Sequence, residues 1–270
     1  MTPFQAFIMG IVQGITEFLP ISSSGHLVLT PYLLNWKIPE EQVFVFDVLV
    51  QIGTLVAVII YFWKDLWTIL TGFITSFWKK EAYQRVEVRM GLYLILATIP
   101  AVVFGLLIKD AVEAAFSSPT ITVLALVFTA VLMIAAEQFG KLENDLTKTS
   151  WLDALIIGLF QVLALFPGVS RSGSTISGGI FRKLDRPSAA RFSFLLSVPA
   201  MLGAGALATL DLLEVPSLGN FLFPMAIGFV TAAVVGYLSI RWLLRYLTNN
   251  PLSHFSIYLI ILSTLILILK

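Results

Sequence analysis

Apolar run follows apolar run along this 270-residue chain, and charge is confined to the short gaps between them. Hydrophobic residues make up 58% and charged residues 12%. A soluble domain carries about 45–50% and about 25%. The chain is therefore expected to fold within a lipid bilayer. Residues 43–63, 90–108, 119–139, 187–210, 221–244 and 252–269 each approach or exceed the roughly 20 apolar residues that a crossing helix needs. Net charge is +1, so nothing points to nucleic acid, and Cys is absent, which removes disulfides and thiolate chemistry. The first apolar run carries Gln13 and Glu17 and ends in Pro20, so it does not read as a signal peptide. No polar stretch exceeds about 25 residues, well short of a soluble module. One membrane domain over 1–270 is expected.

Two stretches depart from this plan in the same way. Residues 10–26 read GIVQGITEFLPISSSGH, and residues 158–174 read GLFQVLALFPGVSRSGS. At a constant offset of 158 − 10 = 148, Gln13 falls on Gln161, Phe18 on Phe166, Ser22 on Ser170, Ser24 on Ser172 and Gly25 on Gly173. Each copy is a short apolar run, a Pro- and Ser-rich break and a second short run, which reads as a helical hairpin that enters the bilayer and returns. The mismatches carry the chemistry. Glu17 stands opposite Leu165, Ser23 opposite Arg171, and His26 opposite Ser174.

Lys and Arg excess marks the cytoplasmic side. It places 64–89, 182–191 and 241–251 inside and leaves 109–118 and 211–219 outside. The first hairpin then opens from outside and the second from inside. Three spans accompany each hairpin, and an odd number of crossings inverts the second half. The expected architecture is an all-α polytopic membrane protein. It has six full spans and two re-entrant helical hairpins arranged as an inverted-topology repeat. Repeat one covers 1–139, a linker 140–150, and repeat two 151–270. Residues 66–78 are expected to form an amphipathic helix in the interface. Asp47 and Glu137, near span ends, read as solvated.

Irregular backbone survives in lipid only where protein or a wet cavity surrounds it. Two breaks entering from opposite faces should therefore meet. Each precedes a helix start, whose free N–H groups suit phosphate oxygens. A carboxylate such as Glu17 costs at least ~2.5–3.5 kcal/mol in the bilayer and so marks a site. Gln13 lies one turn earlier, and the two give an oxygen-rich strip for a hard cation or a base. His26 is an acid, base or nucleophile near neutral pH. Arg171, among Ser170, Ser172 and Thr175, reads as a phosphate clamp, as a counter-ion for Glu17, or as both.

With Gln13-x3-Glu17, then 18–26 (FLPISSSGH), and Pro167-Gly168-Val169-Ser170-Arg171-Ser172 with Thr175, the chain resembles the bacitracin-resistance type undecaprenyl-diphosphate phosphatases. The likeness runs over nearly the whole chain. It implies hydrolysis of a polyprenyl diphosphate lipid to the monophosphate, in the bacterial inner membrane, at a site facing the periplasm or cell exterior. It implies a divalent cation, Mg²⁺ or Ca²⁺. By position Ser23 matches the family's nucleophile, Glu17 and His26 its acid/base or metal-handling pair, and Arg171 its phosphate-binding arginine. Ser170, Ser172 and Thr175 match supporting contacts. Ser22, Ser24 and Gln13 are expected at the substrate, and Gln13 with Glu17 at the metal. Attack by Ser23 with help from Glu17 or His26, or direct attack by water, both remain open. Membrane lipid is the expected surrounding, and a homodimer is compatible with it. The competing class is a polyprenyl-phosphate transporter, since inverted repeats with broken helices also build carriers.

Overall fold

The computed structural model describes residues 1–76, 85–108, 119–212 and 222–269. Lys79 and Lys80, the loop at 109–118 and all but the start of that at 211–219 lie outside them.

Among the described residues the fold is helical, apart from one isolated bridge between Asn144 and Leu184. The helices are α1 (Pro3–Thr16), α2 (Ser23–Leu33), α3 (Glu40–Tyr61), α4 (Trp63–Ser76), α5 (Val86–Leu107) and α6 (Pro119–Phe139). After a 3₁₀ turn at Leu146–Lys148 come α7 (Trp151–Leu163), α8 (Arg171–Phe181), α9 (Arg186–Leu212), α10 (Leu222–Tyr246) and α11 (Ser253–Leu269). Gln42–Tyr61, Val86–Leu107, Ile121–Phe139 and Leu222–Tyr246 are long and apolar enough to cross a membrane. This is a membrane protein. The helix expected at 66–78 exists as α4, which opens at Trp63 directly after α3, with Asp65 in its first turn, where a negative charge is favoured.

The sequence repeat is also a repeat of local geometry, and it starts earlier than the broken stretches. Thr2 and Ser150, 148 positions apart, each close a capping box, with Gln5 and Asp153 respectively. Gly10 and Gly158 both mark a close helix crossing. A Cβ on Gly10 would stand 2.7 Å from the Gly228 carbonyl oxygen, so α1 lies tight on α10. A Cβ on Gly158 would stand 2.3 Å from the Ala97 carbonyl oxygen, so α7 lies tight on α5. Small residues at such crossings let backbones approach where the lipid supplies no hydrophobic drive.

Between the two crossings lies a core of large side chains. Phe18, Phe62, Phe192 and Phe194 are fully buried. The Phe18 and Phe194 rings meet edge to face at 5.4 Å, pinning the loop after α1 to α9. At the end of the bundle where the basic segment 182–191 gathers, ion pairs tie helix ends together. Arg182 bonds Asp153 at 2.6 Å, and Arg191 bonds Asp65 at 2.5 Å.

Two expectations need correction here. Glu137 is not solvated. Its carboxylate accepts from Arg186 Nη2 at 2.6 Å and from the Leu252 N–H at 2.8 Å, joining α6, α9 and the start of α11. A carboxylate shielded from water needs such partners. Asp47 is not solvated either, since its Oδ1 is closed off from solvent and has no hydrogen-bond partner.

Gly158→Ala is expected to destabilise the protein by about 1–3 kcal/mol, because the added methyl meets backbone that cannot turn aside. Gly203→Ala, where a Cβ meets nothing within 4 Å, should be neutral. Heat-challenge midpoints in detergent, read by size exclusion, check both.

Candidate active site

Each hairpin has a tip, and local chemistry fixes where the helices stop. α1 ends at Thr16, not at Pro20, which leaves Glu17 as its C-terminal cap with its N–H on the Gln13 carbonyl at 2.9 Å. α2 begins at Ser23, inside the serine-rich break, because Ser22 caps it by accepting from the Gly25 N–H at 3.3 Å. In the second tip Ser170 caps α8 in the same way, accepting from Gly173 at 3.1 Å. Gly168 turns that tip with φ of 88°, and a Cβ there would meet the Thr122 carbonyl at 2.6 Å. The Ser170 N–H is held by the Thr129 hydroxyl on α6 at 3.1 Å.

The tips touch. Arg171 Nη2 donates to Glu17 Oε1 at 3.0 Å. Ser172 donates to the Leu19 carbonyl at 3.1 Å, and the Gly168 N–H donates to Ser24 Oγ at 3.3 Å. The Glu17 and Arg171 side chains are only 9% and 16% exposed. Both charges oppose their helix dipoles, the carboxylate at a C-terminus and the guanidinium at an N-terminus, each worth about 0.3–1 kcal/mol. Each therefore has reason to hold the other.

The second oxygen of Glu17 does different work. Oε2 accepts from the Ser23 hydroxyl at 2.7 Å and from Gln13 Nε2 at 3.1 Å. Gln13 also reaches Thr54 on α3 at 3.5 Å. Arg171 Nη1 donates to the Ser193 carbonyl of α9 at 3.2 Å. Thr175 donates to the Arg171 carbonyl at 2.8 Å, so at 2.6 Å the Ser193 hydroxyl donates to Thr175. Among the described residues the guanidinium makes no other hydrogen bond. A hydroxyl on a carboxylate beside a guanidinium, at two facing helix starts, can accept a phosphate and attack it.

His26 is placed apart. Its ring hydrogen-bonds neither Glu17 nor Ser23. Its Nδ1 lies 2.8 Å from the Ser22 carbonyl and its Nε2 lies 2.7 Å from the Tyr258 hydroxyl on α11. Of the residues picked from the sequence, Gln13, Glu17, Ser23 and Arg171 form one cluster. Ser24 and Ser172 bridge the tips, Ser22 and Ser170 cap helices, and Thr175 braces Arg171. Thr54, Thr129, Ser193 and Tyr258 were missed. A threonine inside an apolar span is a readable signal for Thr54 and Thr129. Nothing local marks Ser193 or Tyr258.

The chemistry of the site fits a divalent cation. Gln13 Oε1 is buried and has no hydrogen-bond partner, so a neutral oxygen is left unsatisfied on the side chain whose nitrogen meets the Glu17 carboxylate. Mg²⁺ is commonly held by one or two carboxylates plus substrate phosphates; among the described residues there is no cluster of three His, Asp or Glu.

The family model described as "Bacitracin resistance protein BacA" matches residues 6–265. A relative from Chlorobium phaeovibrioides named undecaprenyl-diphosphatase is 44% identical, over 100% of this chain and 97% of its own. One of the same name from Corynebacterium glutamicum is 43% identical over 98% of this chain and 89% of its own. A third, from Chlorobaculum tepidum, is 43% identical over 97% and 95%.

Removing one member of a buried ion pair strands the other charge, at about 3–5 kcal/mol. Arg171→Ala should lower the heat-challenge midpoint more than the double variant Glu17→Gln/Arg171→Ala does. Equal losses in the two would mean that the pair is not stranded by the single change.

Proposed function

The chain belongs to the bacitracin resistance protein BacA family, and from that membership together with the site's geometry we propose that it hydrolyses undecaprenyl diphosphate. The products are undecaprenyl phosphate and inorganic phosphate, and the reaction recycles the lipid carrier of cell-wall synthesis and confers bacitracin resistance. The observation that carries the reading is the Ser23 hydroxyl on the Glu17 carboxylate at 2.7 Å, beside the Arg171 contact at 3.0 Å.

The prenyl tail stays in the bilayer while the diphosphate enters between the tips. The remaining N–H groups of Arg171 and the starts of α2 and α8 take the phosphate charge. Ser23 Oγ attacks the terminal phosphorus, and its proton passes to Glu17 Oε2. The bond to the bridging oxygen breaks and the lipid monophosphate leaves with that electron pair. Water then cleaves the phosphoserine, with Glu17 again in reach of the serine oxygen. A divalent cation, Mg²⁺ or Ca²⁺, would be held by Gln13 Oε1 and Glu17 and would neutralise phosphate charge.

The same reading covers the architecture. Matching capping boxes, matching serine caps and the paired close crossings of α1 on α10 and α7 on α5 support two related halves. Inverted in the bacterial inner membrane as one domain, with six spans and two re-entrant hairpins, they would bring the tips together from opposite leaflets with the site open to the periplasm or exterior. A polyprenyl-phosphate transporter could share that fold, yet transport has no use for a serine proton held on a carboxylate.

Purified protein in detergent, where no second compartment exists, should release phosphate from undecaprenyl diphosphate. Ser23→Ala, Glu17→Gln and Arg171→Lys should each lower kcat by 100-fold or more, roughly the scale of one lost nucleophile, base or charge donor. Acid quench of the wild type should trap a phosphoserine at Ser23. No phosphate release from the wild type would favour the transporter, and full turnover in Ser23→Ala would exclude the covalent route.

A further inference from the structure

We propose that Tyr258 is a positioning residue for His26, holding the imidazole so that Nε2 alone exchanges a proton. The proposal rests on the hydrolase reading. A backbone carbonyl can only accept, so the 2.8 Å contact with Ser22 fixes the proton of His26 on Nδ1. That leaves Nε2 as the ring's one exchangeable position, and Tyr258 sits on it at 2.7 Å.

The two rings lie nearly parallel, 12° apart with centroids at 5.8 Å. In the neutral ring the phenol O–H donates to Nε2. When Nε2 gains a proton, its N–H donates to the phenol oxygen, and the phenol proton turns outward. Neither partner has to move, so the imidazole keeps one orientation through both states. Tyr258 itself transfers nothing.

The rest of the tip is built for the same end. Ser22 sits at φ 71° and ψ 102°, sparsely populated for a residue with a Cβ. Its counterpart Ser170 has an ordinary φ of −73°. The Ser170 carbonyl accepts the Ser174 N–H at 2.9 Å and no ring, whereas the Ser22 carbonyl takes the His26 N–H at a longer 3.3 Å and the imidazole as well. The strained backbone thus accompanies the one tip that carries a histidine. Tyr258 comes from α11, so the second half of the chain orients a proton-exchanging group of the first.

The test compares Tyr258→Phe, which keeps the ring and removes the hydroxyl, with wild type in the detergent assay. The expected result is a kcat lower by roughly 10- to 100-fold, the scale of a misplaced catalytic group, with KM little changed and the pH midpoint of kcat/KM displaced. In His26→Ala the same tyrosine change should cost nothing further. Tyr246→Phe breaks another Tyr–His bond, 2.5 Å to His254, and should leave kcat and the pH profile alone. Wild-type kcat and pH profile in Tyr258→Phe, or an equal loss with and without His26, would overturn the proposal. A wild-type protein that releases no phosphate would instead overturn the hydrolase reading beneath it.

Discussion

A carboxylate and a guanidinium that both sit at the wrong ends of their helices need each other, and the contact between Glu17 and Arg171 is a charged link between the two tips. Neither charge is at home in its own hairpin. Glu17 caps the C-terminus of α1 and Arg171 opens α8, so each adds to a like-signed helix end. Burial removes water as a remedy. Only the opposite tip supplies the missing charge. Replacing a buried pair with apolar groups is often cheaper in folding terms, which is why the retained Glu17–Arg171 pair supports the proposed chemistry.

The repeat supplies rigidity, and its mismatches supply reactivity. Both tips use a serine cap, a glycine at the third helical position and a second serine hydroxyl within reach of the cap. On that shared frame the first half places Glu17, Ser23 and His26, and the second places Arg171. In the proposed mechanism the proton acceptor and the nucleophile thus stand on one tip, and the charge that receives the phosphate stands on the other. The surrounding braces come from the spans. Thr54 of α3 holds Gln13, while Ser193 of α9 holds Arg171 and Thr175.

Much of this was legible in the sequence because it lies in patterns with a fixed offset. The 148-residue spacing gave the two tips, and intramembrane charge picked out Glu17 and Arg171. The same spacing carried the capping boxes at Thr2 and Ser150, which were there to be read. Boundaries were harder. Pro20 marks a break, yet α1 stops at Thr16, and the packing of Phe18 against Phe194 just beyond that end leaves no local trace. Glu137 looked solvated because its partners, Arg186 and the Leu252 N–H, come from distant helices. His26 was grouped with Glu17 and Ser23 by its chemistry, its neighbours and the family likeness, while its hydrogen bond to Tyr258, 232 residues away, leaves no local mark.

The account turns on the two tips sharing one phosphate, and an experimental structure with a non-hydrolysable prenyl diphosphate analogue tests that most directly. The terminal phosphorus should lie within ~3–3.5 Å of Ser23 Oγ, the reach of a reacting pair, with its oxygens on the Arg171 guanidinium. An analogue seated away from both tips, with the Glu17–Arg171 contact undisturbed, would contradict it.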